Sequence, residues 1–237
     1  MGRPPRRIEP ERHFHFRGPE DHLLTDHLFM DRQVLITGAS GLLGKALVRR
    51  FLKEGFVVYA QYHKNLPEDR DLNTENCQWL RADFSSFDGI RDFLVENSLR
   101  FKRCRCLINN YGPITDKAVT NLTADDFLSD FYHNVIPAFE ITDFFIKHTD
   151  LESVVNIGFG DIGRVKPYKR ILTYAAAKNA LQLMTESFAA QYSALRFHMV
   201  SPTTLTGAAV KFKKGEHVSP ESVAGEVFDV ITRSIPG

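Results

Sequence analysis

The run Gln33-Val34-Leu35-Ile36-Thr37 leads directly into Gly38, Gly41 and Gly44, and that junction constrains the fold more than any other part of the chain. Gln33 to Thr37 is short, apolar and rich in β-formers, so it reads as a strand. Beyond the glycines, Ala46, Leu47, Val48, Phe51 and Leu52 recur at helical spacing up to Gly55. Phe56 to Gln61 reads as a second strand. A strand, a glycine-rich turn, a helix and a strand in that order form one βαβ unit. The glycines allow a tight turn and close backbone approach to a pyrophosphate. The helix N-terminus offers unpaired N–H groups and the positive end of its dipole. The unit therefore predicts dinucleotide binding. The plainer reading of the same glycines is a turn that only packs helix on strand.

The rest of the chain continues the alternation. Cys77 to Arg81, Cys104 to Asn109, Ser153 to Ile157 and Leu195 to Val200 read as strands. Phe87 to Asn97, Ala124 to His148, Tyr174 to Tyr192 and Pro220 to Arg233 read as helices. Such alternation predicts an α/β fold, a single doubly wound Rossmann domain whose parallel sheet carries helices on both faces. Ligands then sit outside the carboxyl ends of the strands.

Composition excludes several classes. The chain has 237 residues, enough for one domain with a substantial core, and a net charge of +1. No strong field argues for nucleic acid or a membrane surface as partner. No apolar stretch is long enough to span a bilayer. Three cysteines, Cys77, Cys104 and Cys106, cannot all pair. They suit buried thiols in a reducing, cytoplasmic compartment. Cys104 and Cys106 have no matching ligand pair, so no metal site is expected. Residues 1–29 are rich in Arg, Pro and His and lack periodicity. His13, His15, His22 and His27 raise the question of a metal, but a disordered extension or an upstream start before Met30 is the simpler expectation. The folded domain is expected over 30–237.

Tyr174 and Lys178, in Tyr-Ala-Ala-Ala-Lys, stand one helical turn apart on one face. A nearby ammonium favours a phenolate and lowers a tyrosine pKa, so such a tyrosine can exchange a proton with a substrate oxygen or nitrogen near neutral pH. On a surface helix the same spacing means nothing. Here it follows a strand and lies downstream of the glycine-rich unit.

From Gln33 to Arg233 the chain resembles the short-chain dehydrogenase/reductase family. Thr37 to Gly44, with Ser40 and Leu43 inside it, looks like that family's cofactor loop. Asp83 matches the acid that holds the adenine amino group. Asn109-Asn110-Tyr111-Gly112 is similar to the family's Asn-Asn-Ala-Gly, with tyrosine for alanine. Ser201-Pro202-Thr203-Thr204-Leu205 is similar to the Pro-Gly segment beside the nicotinamide, with Thr203 for glycine. The resemblance implies that Tyr174 is the general acid in reduction and that Lys178 bonds the nicotinamide ribose. It also implies that Asn134 links Lys178 to solvent through water. Asn134 bonding backbone within its helix and Asp83 capping a turn are the simpler alternatives.

The chain departs from the family pattern in two places. The family's fifth strand ends in a serine that polarises the substrate carbonyl, whereas this one runs Gly158-Phe159-Gly160-Asp161. Counting from the strand, the slot falls on Phe159; counting thirteen residues back from Tyr174, it falls on Asp161. Pteridine reductases, a branch of the family, carry an aspartate at that offset, and Tyr62-His63-Lys64 resembles their Tyr-His-Arg stretch. Their cofactor-loop arginine is missing, and the loop before Tyr174 is two residues longer. Asp161 either holds an N–H of a pterin-like ring or braces a glycine-rich loop. The second departure is at the end of the chain: it stops at Ile235-Pro236-Gly237, so about six strands are expected where the family has a seventh, with Leu195 to Val200 an edge. The segment from Thr206 to Pro220, with Lys211, Lys213 and Lys214, is too short for a large lid.

His63 and Lys64 follow the second strand, where an NAD-binding fold places an acid. Their charge favours NADP(H) over NAD(H). The expectation is an NADPH-dependent oxidoreductase of a small carbonyl or imine, with a pterin-like ring among the candidates. A cofactor-binding sensor or scaffold with a degraded site is the alternative. Phe127, Phe131, Phe139, Phe144 and Phe145 exceed what one sheet-facing stripe needs, so a homodimer or homotetramer is expected.

Overall fold

Each strand-like run is a strand in the computed structural model, which describes residues 32–160, 167–208 and 217–232. The strands are β1 (Gln33–Ile36), β2 (Val57–Tyr62), β3 (Cys77–Arg81), β4 (Cys106–Asn109), β5 (Ser153–Ile157) and β6 (Arg196–Val200). The helices are α1 (Leu42–Lys53), α2 (Phe87–Phe101), α3 (Ala124–His148), α4 (Leu172–Gln191) and α5 (Pro220–Thr232). The six strands form one sheet in the order β3-β2-β1-β4-β5-β6, and every pair is parallel. Strand order reverses between β1 and β4, which opens a crevice at their carboxyl ends. Among the described residues β6 is an edge. The expected extension over 1–29 lies outside the described residues.

Alternation along the strands builds two cores. Val34 and Ile36 of β1 face α1 and α5, where they meet Leu47, Phe51, Val223, Val227 and Ile231. Leu35, between them, faces α2 and α3 and meets Phe93, Phe101, Ile141 and Phe145. Each such side chain, fully buried, contributes about 1.5–3 kcal/mol. All three cysteines are free and buried, and burial raises their thiols, Cys77 and Cys106 to about 12.

Two expectations need correction. α2 continues past Asn97 to Phe101 because Asn97 points inward, donates Nδ2 to Phe93 O at 2.8 Å and leaves Phe101 in the core. Phe145 is not a surplus surface aromatic, since it is fully buried; Phe127, Phe131 and Phe139 do remain exposed along α3.

Helix ends differ in how they are satisfied. Ser86 caps α2, and Thr123 with Asp126 forms a capping box on α3. α1 starts from Gly41 with no side-chain cap and no acid in its first turn. Its leading N–H groups are unpaired by side chains, and they open onto the crevice.

Candidate active site

The loop after β1 is held in place by its neighbours. Gly38 sits at φ +60°, and a Cβ there would lie 3.0 Å from Tyr111 Cα. A Cβ on Gly44 would fall 2.3 Å from Gly38 O. Both positions therefore need glycine. Buried Gln61 accepts from Gly38 N at 2.8 Å and donates to Ala82 O at 2.8 Å, which braces the turn from β2. Thr37 Oγ1 accepts from Asn110 N and Tyr111 N, each at 3.0 Å. Asn110 Nδ2 donates to Thr37 O and Gly38 O, again at 3.0 Å. Ser40 is half-buried and Leu43 is buried in the core. Asn109 differs from expectation. Its side chain turns into the sheet, donating to Thr142 Oγ1 at 3.1 Å and Asn156 Oδ1 at 2.8 Å, so the bond to the loop falls to Asn110.

At the end of β2 the surface is basic. His63 Nε2 lies 3.3 Å from Asp83 Oδ2. Asp83 Oδ1 accepts from Ser85 N at 2.9 Å, and that bond, with His63 and Lys64 adding, holds its carboxyl below the usual range. Arg81, which sequence reading passes over, donates Nε to His63 O at 3.2 Å and adds a guanidinium to His63 and Lys64.

Asn134 and Lys178 meet at Gly112, and Lys178 also lies over the Tyr174 ring. Lys178 is 2% exposed and donates Nζ to Ile157 O at 2.7 Å. The Nζ lies 5.7 Å from the centre of the Tyr174 ring. Asn134 Nδ2 donates to Pro113 O and Asp130 O, each at 3.0 Å, while its Oδ1 is buried without a hydrogen-bond partner. A Cβ on Gly112 would stand 2.4 Å from that oxygen and 3.0 Å from Lys178 Nζ. The missing side chain is what lets the buried Asn134 oxygen and the buried Lys178 amine close on the loop backbone, so this position admits no Cβ.

The electrostatics reverse one expectation. The Tyr174 phenol is raised above its ordinary value, by burial first and then by Asp130. Burial lowers Lys178 to about 8. A dry site favours the neutral form of each group, and this outweighs the attraction between ammonium and phenolate. Asp130 is also new: it is buried and accepts from Thr115 Oγ1 at 2.7 Å and Thr173 Oγ1 at 2.5 Å.

The far wall is aromatic. The Phe159 ring centre lies 5.6 Å from that of Tyr174 and 5.9 Å from that of Tyr168. Phe159 therefore stands beside the phenol on the side counted from β5. Asp161 lies outside the described residues, as do Lys211, Lys213 and Lys214. Pro202 is half-buried, and Leu205 pairs with Val218 while packing on the β1 core. A Cβ on Gly207 would lie 3.8 Å from the Leu42 side chain, so the segment after β6 comes down on the start of α1. An uncapped helix start, loops that admit no Cβ and an unpartnered buried oxygen fit a nicotinamide dinucleotide lying across the crevice. Gly38, Gly41 and Gly44 would hold its pyrophosphate. Among the described residues no group of three His, Cys, Asp or Glu side chains can hold a metal, and no helix is long and apolar enough to cross a membrane.

Comparison with known proteins agrees with this architecture. The family model for short chain dehydrogenases matches residues 32–217. A dihydromonapterin reductase of Klebsiella pneumoniae is 30% identical over 169 residues, 67% of each chain. Glucose 1-dehydrogenase 2 of Bacillus subtilis is 26% identical over 200 residues, covering 78% of this chain and 76% of its own. Among solved structures, a dehydrogenase/reductase from Sinorhizobium meliloti superposes with a TM-score of 0.72 at 20% identity, over 85% of this chain and 90% of its own. An NADH-dependent reductase of alginate metabolism gives 0.74 at 20% identity, over 87% and 91%. The chain belongs to the short-chain dehydrogenase/reductase family of oxidoreductases.

Proposed function

We propose that this protein is an NADPH-dependent reductase that adds hydride to a small C=N or C=O substrate, a dihydropterin-like ring being the favoured class. The buried Lys178 amine, packed with Asn134 Oδ1 against Gly112 and lying 5.7 Å from the centre of the Tyr174 ring, carries the reading. The bound dinucleotide supplies hydride to carbon and is itself oxidised. Tyr174 gives its phenolic proton to the substrate nitrogen or oxygen, so the double bond becomes CH–NH or CH–OH. Lys178 and a water on Asn134 Oδ1 return a proton to Tyr174 from solvent. A phenol kept protonated by burial suits the acid of a reduction.

Phe159 favours the imine. A ring cannot donate to a carbonyl oxygen, whereas a basic imine nitrogen needs one proton donor and no second polarising group. The 30% identity to a dihydromonapterin reductase supports the same substrate class. His63, Lys64 and Arg81 supply the charge for a 2′-phosphate, which supports NADPH. Phe159 is also the one observation behind a second reading, a cofactor-binding sensor without turnover. NADPH consumption on a panel of carbonyls, quinones and dihydropterins decides between them. Tyr174→Phe should lower turnover about 10²–10⁴-fold and leave NADPH affinity nearly unchanged; near-normal kcat in that variant would sink the assignment.

A further inference from the structure

We infer that Asp130 is a positioning residue for this reaction: from α3 it clamps the loop after β4 to the first turn of α4, and so sets where the Tyr174 phenol stands. The inference rests on Tyr174 being the proton donor. Asp130 is 2% exposed. Its Oδ1 accepts from Thr115, three residues beyond Gly112, and its Oδ2 accepts from Thr173, directly before Tyr174. One turn along α3, Asn134 donates to Pro113 O and to the carbonyl of Asp130 itself. A single helix thus grips the loop at Pro113 and Thr115 and the helix of Tyr174 at Thr173. Lys117 N to Arg170 O and Val119 N to Lys169 O, both 3.0 Å, continue that seam outward.

Stability alone does not account for a carboxylate here. Burial strips its hydration, and two hydroxyl donors replace only part of it. Apolar residues of similar volume in place of buried charges are commonly neutral or stabilising. Its charge has a consequence one residue away. The charged groups facing the Tyr174 phenol among the described residues are Lys178 from its own helix and Asp130 from α3. The loop after β5 presents the neutral ring of Phe159. Nearby Asp126 is paired with Lys117, and Asp116 with Arg170. After burial, Asp130 raises the phenol further, in the sense that favours the protonated form a donor needs.

The test compares Asp130→Val, Asp130→Asn and Thr173→Val in the full chain. Asp130→Val should lower kcat about 10²-fold, the effect of about an ångström of misplacement, with NADPH affinity by fluorescence titration held within about threefold. Asp130→Asn keeps an acceptor for Thr173 and should recover most of that rate. Thr173→Val loses the bond to α4, so its rate should fall with NADPH affinity again within about threefold. Wild-type kcat in Asp130→Val, or no recovery of rate in Asp130→Asn, overturns the inference. Wild-type protein that turns over nothing on the panel refutes the proposed activity instead. Asp130 is then read by carbon NMR of the tyrosine Cζ signals, with Tyr174 assigned through Tyr174→Phe. At neutral pH the Tyr174 signal should shift in Asp130→Val and return toward its wild-type position in Asp130→Asn, and a signal unmoved in Asp130→Val overturns the inference.

Discussion

Gly112→Ala probes the proposed site with one methyl group. Gly112 has no positive φ, so alanine meets no backbone penalty there and any effect comes from space. The new Cβ would fall 2.4 Å from Asn134 Oδ1 and 3.0 Å from Lys178 Nζ. Contacts of this kind do not stand below 3.0 Å, so the Asn134 amide must retreat by at least about 0.6 Å. It is not free to do so, because its Nδ2 holds Pro113 O and Asp130 O at 3.0 Å. Overpacking of a tight interior costs about 1–3 kcal/mol. In a domain of this size that lowers Tm by about 2–12 °C. Misplacing a reacting group by about an ångström lowers the rate about 10²-fold. The expectation is a kcat reduced about 10–100-fold with KM little changed, measured by loss of NADPH absorbance alongside scanning calorimetry. Asn134→Ala removes the atom that the methyl strikes, so the double mutant should be no slower than Asn134→Ala alone. Additive losses, or Gly112→Ala with wild-type kcat and Tm, would refute the contact.

Lys178 is held at about 8 in the folded protein against 10.5 for the free side chain. Below pH 8 it is charged in both states and destabilises the fold. That penalty disappears as pH rises from about 8 to about 10.5, where the folded form has lost its proton first, a gain of about 3 kcal/mol. The buried thiols and Tyr174, all raised, act in the opposite sense above about pH 9. The difference in denaturation free energy between wild type and Lys178→Met isolates the term, and a difference flat in pH removes it. Changing His63 and Lys64 together to Ala should narrow a preference for NADPH over NADH; equal Kd values for the two cofactors in wild type would end that argument. Phe127, Phe131 and Phe139 on α3 and Leu183 on α4 are exposed apolar side chains on paired helices, which predicts a homodimer or homotetramer. Light scattering at micromolar concentration should find it, Phe131→Glu with Leu183→Glu should break it, and a wild-type monomer would exclude it.

The central strands were legible because β1, β4 and β5 are short runs closed by glycine or asparagine and buried on both faces, which leaves an almost continuous apolar signal. The candidate site was legible where residue type at fixed spacing carries the chemistry, as at Gly38, Gly44, Tyr174 and Lys178. Asp130 was not, since an aspartate in an amphipathic helix reads as a solvated position and only tertiary packing turns it toward Thr115 and Thr173. Arg81 and Gln61 were hidden for the same reason: alternation assigns them a face, but their partners lie on other strands or in the turn after β1. The instructive case is the Tyr174 and Lys178 pair. Spacing names a neighbour but gives no dielectric. It led to a tyrosine lowered by an ammonium, whereas burial moves the phenol up and the lysine down to about 8. Both shifts favour neutral groups, and that combination suits reduction better than the expected ion pair. A neutral phenol already carries the proton that reduction consumes. An amine that titrates near pH 8, beside an unpaired oxygen on Asn134, can take the next proton from solvent and pass it on. The dryness that defeats the simple charge argument is therefore what lets the same two residues work as donor and relay under the proposed activity.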